Sequence, residues 1–253
     1  MLAVIGGTGL NSLEGIDGFE RVEELLLTTR YSADPVRVLR YRVRGRELLF
    51  LPRHGDGHVL PPHRINYRAN VVALQQAGAK EVVAMNAVGG IADNLAPGTL
   101  AVPDQLIDYS SGREATLFDA DEDEVVHIDF GQPYAERLRQ RLLQASRRAA
   151  EATGTSNTVV DGGVYGCTQG PRLETNAEIR RLRNDGCTMV GMTGMPEAAL
   201  AREAGLDYAS IALSVNWAAG LSHEPITLEE IYAVVAGASP FLIALLRELL
   251  SGD

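Results

Sequence analysis

Cysteine is scarce in this chain. Cys167 and Cys187 are the only two among 253 residues, too few and too unpatterned for a disulfide framework or a four-ligand zinc site, so they read as reduced structural thiols and no metal is expected. Basic charge is also in deficit. With 23 Lys and Arg against 33 Asp and Glu, and a formal net charge of -10, a nucleic-acid surface is disfavoured, because phosphate backbones are bound by clustered cations and none cluster here. The opening residues MLAVIGGTG meet glycines almost at once, with no basic leader and no apolar stretch long enough to cross a bilayer. A cytoplasmic protein without membrane association is expected. What is present, 45% hydrophobic and 22% charged residues, suits one ordinary globular domain over residues 1–253 that handles a small molecule.

Apolar runs alternate with helical spacing along the chain. Met1 to Ile5 reads as a buried strand ending at Gly6-Gly7-Thr8-Gly9, and Val36 to Val43 with Glu47 to Leu51 reads as a hairpin about Arg44-Gly45-Arg46. Asn66 to Ala77 is predicted helical and stopped by Gly78, and Glu81 to Met85 is a strand entering a glycine-bearing loop, Asn86 to Gly90. Further strands are predicted over Leu100 to Tyr109, Thr158 to Cys167 and Tyr208 to Val215, with Asp119 to Glu124 as a solvated loop. Helices are predicted over Tyr134 to Thr153, from a Thr175 cap through Arg183, over Pro196 to Ala204, and over Leu228 to Leu250 with a break near Ser239-Pro240. The pattern defines an α/β fold, a mixed central β-sheet flanked by helices, whose site lies at the carboxyl ends of its strands.

Several of those ends carry useful chemistry. Gly6-Gly7-Thr8-Gly9 offers a nest of amides and a hydroxyl, though a bare turn would look the same. It lacks the Lys of a nucleotide-binding loop and the spacing of a dinucleotide fingerprint. Arg53-His54-Gly55 adds a guanidinium fork and an imidazole, types that grip a phosphate dianion and that also occur as plain surface charge.

GGTGL, RHG, HRINYRAN, NAVGGI, GPRLET, VGMTGMPEAALA and the strand ending at Asn216 occur in the order found in trimeric purine nucleoside phosphorylases and methylthioadenosine phosphorylases, a resemblance spanning Ile5 to about Tyr232. It implies a phosphorylase/hydrolase-like fold, a homotrimer with sites near subunit interfaces, and a pentosyl transfer to inorganic phosphate with no cofactor. Position by position, Thr8, Arg53, His54, the Ala87 amide and Thr193 resemble the phosphate site. Met192 resembles the residue beneath the ribose, with a core methionine as the alternative. Leu173 and Trp217 would belong to the base pocket. His127 resembles a residue that reaches a neighbouring subunit's pocket, or is structural. Asn216 and His54 are the catalytic candidates, and direct displacement with inversion is implied.

The base and the sugar are read separately. The adenine-specific branch carries two Asp residues where this chain has Asn216 and Ala218, so an amide can donate to O6 or N7 of a 6-oxopurine and no carboxylate awaits an adenine amino group. Glu174 can accept from N1–H of hypoxanthine or guanine, or merely cap a helix. At the sugar end Leu228 stands where ordinary purine nucleoside phosphorylases place a His, and Leu228 with Ile231 suits a 5'-methylthio group, worth on the order of 1–2 kcal/mol of burial. His223 is close enough in sequence to pair with a hydroxyl instead. These features resemble the bacterial branch acting on S-methyl-5'-thioinosine; a general inosine/guanosine phosphorylase, a methylthioadenosine phosphorylase and a non-catalytic nucleotide-binding protein are the alternatives.

Overall fold

The computed structural model describes the chain except for residues 9, 56, 58, 121–122, 156–158, 223–224 and 252–253. Its centre is β1 (Leu2–Gly6), every residue of which is buried. β1 lies parallel to β4 (Arg46–Pro52) on one side and to β5 (Glu81–Gly90) on the other. β4 folds back antiparallel on β3 (Val36–Val43) through the expected turn, where Arg44 and Gly45 have φ of 50° and 78°. Positive φ at both central positions matches the twist of the flanking strands, and Arg44 is tied down by Glu248 at 3.0 Å.

Beyond β3 lies a strand with no apolar alternation to announce it. β2 (Glu20–Leu27) is largely exposed, and its acidic side chains pair with arginines of β3: Glu24 with Arg37 and Glu23 with Arg40. Charge on an edge strand also discourages pairing with other chains.

On its far side β5 pairs along its whole length with β11 (Asp207–Trp217), so Asn86 to Gly90 is strand rather than the expected loop. The glycines serve close approach. A Cβ on Gly90 would lie 1.9 Å from the Leu95 carbonyl oxygen and 2.8 Å from Ser214 Oγ.

Two predicted strands are each split, and the splits face one another. Leu100 to Tyr109 becomes β6 (Leu100–Val102) and β7 (Gln105–Asp108), separated by Pro103-Asp104; Thr158 to Cys167 yields β8 (Val159–Asp161) and β9 (Val164–Cys167). Gly162 and Gly163 turn between β8 and β9 with φ of 87° and 113°, and Asp104 Oδ1 accepts from the Gly163 amide at 2.8 Å. Through these bends the pairing runs β5–β11–β6–β8, continues as β7–β9, and returns to β5 through the short β10 (Met189–Gly191).

Helices α1 (Tyr67–Gln76), α2 (Glu136–Thr153), α3 (Asn176–Asn184), α4 (Gly194–Glu203) and α5 (Leu228–Ser251) flank the sheet. α3 begins at the expected cap, where Thr175 with Glu178 forms a reciprocal capping box, and α1 begins one residue later than expected because Asn66 is its cap, Oδ1 accepting from the Ala69 amide. α4 turns helical after Met195, whose ψ is 142°. α5 passes unbroken through Pro240, against expectation. The residues after Pro240, Phe241, Leu242, Leu245, Leu246 and Leu249, are buried in the core, and that packing outweighs one lost backbone bond. By length and composition α5 is the one helix among the described residues that could cross a membrane.

Candidate active site

Five strand ends and the start of α5 converge on a cavity of ≈ 290 Å³. Thr8 follows β1; Arg53 and His54 follow β4; Ala87 lies within β5; Met192 and Thr193 follow β10; Asn216 and Ala218 close β11. Leu173 and Glu174 come from the loop after β9, and Leu228 and Ile231 from the first turns of α5. Ligands in open α/β sheets bind in this crevice because the strands point their loops there.

One end of the cavity is polar and pre-arranged. The Ser210 hydroxyl donates to Asn86 Oδ1 at 2.6 Å, and Asn86 Nδ2 donates to Thr193 Oγ1 at 2.8 Å, all three residues being buried. Because Thr193 Oγ1 already accepts, its own proton is directed elsewhere, which suits donation to an anion. His54 Nδ1 lies 2.8 Å from the Leu60 carbonyl. A carbonyl only accepts, so Nδ1 carries the proton.

Arg53 is engaged differently from the sequence expectation of a fork aimed at phosphate. Its Nε and Nη2 donate to Glu197 at 2.7 and 2.9 Å, and Nη1 donates to the Met85 carbonyl at 2.8 Å, with both side chains of the pair 1% exposed. Burial opposes the guanidinium charge, but the Glu197 carboxylate outweighs it and moves the Arg53 pKa up. Tyr208 donates to the same carboxylate at 2.8 Å; burial, then the Glu197 charge, raises its phenol well above the ordinary value, keeping it a neutral donor. Arg53 therefore brings fixed positive charge to the cavity wall, with its bidentate face spent on Glu197.

The opposite end offers an acceptor and an amide. Thr168 Oγ1 donates to Glu174 Oε1 at 2.6 Å, which leaves the other carboxylate oxygen available. Asn216 Nδ2 donates to the Trp217 carbonyl at 2.7 Å, so the amide plane is fixed with Oδ1 and one N–H uncommitted by that bond. A register shift between Ser214 and Asn216 turns the strand end here. Another part of the lining is apolar: Leu228, Ile231, Ile226, Val190 and Val215 border the same cavity.

Two expected residues stand apart from this lining. The Trp217 side chain is absent from it and only its carbonyl participates, while His127 is exposed on the segment between β7 and α2. His223 and Gly9 lie outside the described residues. Three contributors escaped sequence reading: Glu197, Asn86 and Arg113, whose guanidinium donates to the carbonyls of Met192 and Gln169. Neither cysteine is poised for chemistry. Cys167 is buried, and burial pushes its thiol up to about 12. Among the described residues no group of three or more His, Cys, Asp or Glu gathers to ligate a metal.

A mixed sheet whose strand ends bring Thr8, His54, Thr193, Glu174 and Asn216 together with Leu228 and Ile231 around one cavity has the architecture of an α/β small-molecule enzyme. The chain belongs to the phosphorylase superfamily, whose model matches residues 2–251. It is 52% identical over 254 residues to a probable S-methyl-5'-thioinosine phosphorylase of Xanthomonas campestris pv. campestris, covering 99% of this chain and 97% of the relative. A protein of Pseudomonas syringae pv. tomato bearing the same description is 52% identical over 251 residues, covering 99% and 98%. Among solved structures, methylthioadenosine phosphorylase from Schistosoma mansoni in complex with adenine superimposes with a TM-score of 0.88 at 31% identity, over 99% of this chain and 90% of that one.

Proposed function

We propose that this protein is a single-domain pentosyltransferase that cleaves S-methyl-5'-thioinosine with inorganic phosphate, giving hypoxanthine and 5-methylthioribose 1-phosphate. The observation that carries this reading is the composition of one cavity: Thr193, His54 and Thr8 at one end, Glu174 and Asn216 with the neutral Ala218 at another, and Leu228 and Ile231 in its apolar lining. The Schistosoma relative of known structure acts on an adenine nucleoside; here Ala218 supplies no acceptor for a 6-amino group, and Glu174 matches N1–H of a 6-oxopurine.

In this mechanism Thr8, Thr193 and His54 hold phosphate beneath the sugar, with the Ala87 amide and the buried Arg53 charge alongside. A phosphate oxygen attacks C1' as the C1'–N9 bond breaks, and the bonding electrons leave with the purine, which takes up the proton that the phosphate gives up. Asn216 donates to N7 or O6, where that charge accumulates, and Glu174 orients the base through N1–H. Met192 packs under the ribose and Leu173 against the base. Inversion at C1' follows from direct displacement. The reaction needs no cofactor beyond phosphate as co-substrate.

A homotrimer in the cytoplasm is part of the same proposal. In support, Val125 is 81% exposed beside the exposed His127 and Val126, an apolar strip that a second copy would cover while His127 reaches that copy's pocket. A second reading, a general 6-oxopurine nucleoside phosphorylase, draws on the openness of the sugar end, where Leu228 is 69% and Tyr232 58% exposed.

Side-by-side turnover of methylthioinosine, inosine and methylthioadenosine with phosphate tests the reading. Methylthioinosine is expected to give the highest kcat/KM. Inosine in first place moves the assignment to the general enzyme, methylthioadenosine in first place refutes the roles of Glu174 and Ala218, and no phosphate-dependent loss of any nucleoside leaves only a binding protein.

A further inference from the structure

Arg113 lies on the segment after β7, and its guanidinium is inserted between two loops that both face the cavity. Nη2 donates to the carbonyls of Thr168 and Gln169 at 3.3 and 2.8 Å, and Nε donates to Gln169 Oε1 at 3.2 Å. Nη1 donates to the Met192 carbonyl at 2.9 Å and to the Met195 carbonyl. Nη1 also lies 3.4 Å from Tyr67 Oη, so five N–H groups meet six acceptors. The guanidinium also lies 5.6 Å from the centre of the Tyr67 ring, a distance suited to cation–π attraction. No carboxylate is among these partners, so the charge is held by carbonyl dipoles and an aromatic face.

The two sets of carbonyls belong to different parts of the site. Thr168 and Gln169 begin the loop carrying Glu174, and Thr168 itself bonds the Glu174 carboxylate. Met192 and Met195 flank Thr193, and Met192 also packs beside Gly170 of the first loop, where a Cβ would lie 2.5 Å from its thioether sulfur. We propose that Arg113 is a positioning residue that fixes the separation of the base-reading loop from the loop facing the sugar and phosphate. It touches no substrate. Glycosidic cleavage needs the base acceptor and the phosphate donors at one set distance, because an ångström of misplacement costs on the order of 10²-fold in rate. A lysine carries the charge but three donors on one atom, and cannot span six acceptors.

What the loops hold rests on the function proposed above, so the test combines a kinetic and a structural readout on the full-length enzyme. Arg113→Ala is expected to raise the nucleoside KM and lower kcat/KM by about 10²-fold, and to speed hydrogen–deuterium exchange in 168–174 and 192–195 but not in the β1–β4 half of the sheet. Arg113→Lys, which also serves if the alanine variant does not fold, is expected to retain the melting temperature and show an intermediate kinetic loss with faster exchange in both loops. Exchange at the wild-type rate in either loop, or wild-type kinetics in Arg113→Lys, overturns the proposal. Should the wild-type enzyme turn over no nucleoside, the functional reading fails and exchange still judges Arg113.

Discussion

Thr168 Oγ1 donates to Glu174 Oε1 at 2.6 Å, and through this bond a residue just after a strand sets the orientation of the carboxylate proposed to read the base. A charge-assisted bond of this kind contributes about 1.5–3 kcal/mol. Glu174→Gln, which can place an amide but not a full negative charge opposite N1–H, is expected to lower kcat/KM for methylthioinosine by about 10- to 100-fold. Thr168→Val removes only the orienting bond and should cost about three- to tenfold. Steady-state assays of both variants check this; equal losses would mean that Glu174 acts through Thr168 alone.

The Ser210–Asn86–Thr193 chain supplies a sharper test at the other end. Asn86→Asp cannot donate to Thr193 Oγ1, so the Thr193 hydroxyl would turn to donate to the new carboxylate and leave the phosphate, which the added negative charge also repels. The phosphate KM should rise at least about tenfold while the nucleoside KM changes little. A nucleoside KM that rises in parallel would place the chain outside the phosphate end.

Arg53 and Glu197 form a buried, doubly hydrogen-bonded pair, and removing one charge leaves the other buried without its counter-charge. Glu197→Gln is expected to destabilise the fold by about 3–5 kcal/mol, a fall in melting temperature on the order of 10 °C for a chain of this size. Replacing both, with Arg53→Met and Glu197→Leu, should melt higher than Glu197→Gln alone. Thermal denaturation followed by circular dichroism decides it.

The residues that converge here differ in how they announce themselves along the chain. Thr8, His54 and Asn216 each follow an apolar run, so their place at a strand end is readable from local pattern, and Pro103 and Gly162-Gly163 are visible breaks although they lie inside the expected strands; Thr193 follows the three-residue β10, too short to stand out as a strand. Asn86, Ser210 and Glu197 offer no such cue. Glu197 looks like the solvated face of an amphipathic helix until Arg53, 144 positions away, is brought against it; the Asn86–Thr193 bond likewise spans 107 positions. β2 was illegible for the opposite reason, since the charges that pair it to β3 erase the alternation that marks a strand. Arg113 is one arginine among many, and four of its six acceptors are main-chain carbonyls, which carry no signature in sequence.

Acid stability gives a prediction with a defined window. The hydrogen bond from Arg172, with those of the Thr175 cap, lowers Glu178 from 4.5 to about 2. A depressed carboxylate contributes stability that is fully present above its unfolded value and lost as the pH falls through the folded one. The difference in urea midpoint between wild type and Glu178→Gln should therefore be constant above about pH 5 and shrink toward zero near pH 2. A difference that widens on acidification would reverse the sign and exclude this pairing in solution.

The apolar wall proposed to face the sugar separates the two leading functional readings, and exposure decides which side chain to change. Leu228 is 69% exposed and can bury only part of itself against a 5' substituent, whereas Ile231 is half-buried on the same wall and packs toward the core. Each methylene equivalent withdrawn from water is worth about 0.8 kcal/mol, close to a fourfold change in kcat/KM. Ile231→Ala is thus expected to reduce methylthioinosine kcat/KM by about tenfold, and Leu228→Ala by less than about fourfold, with inosine nearly unchanged in both. Ile231→Asn goes further, because an amide leaves a methylthio group facing a polar surface while offering a 5'-hydroxyl a partner. Its inosine to methylthioinosine ratio should rise by more than an order of magnitude over wild type. If the ratio is the same in all three variants, this wall does not read the 5' group, and the apolar character of Leu228 and Ile231 belongs to the packing of α5 alone.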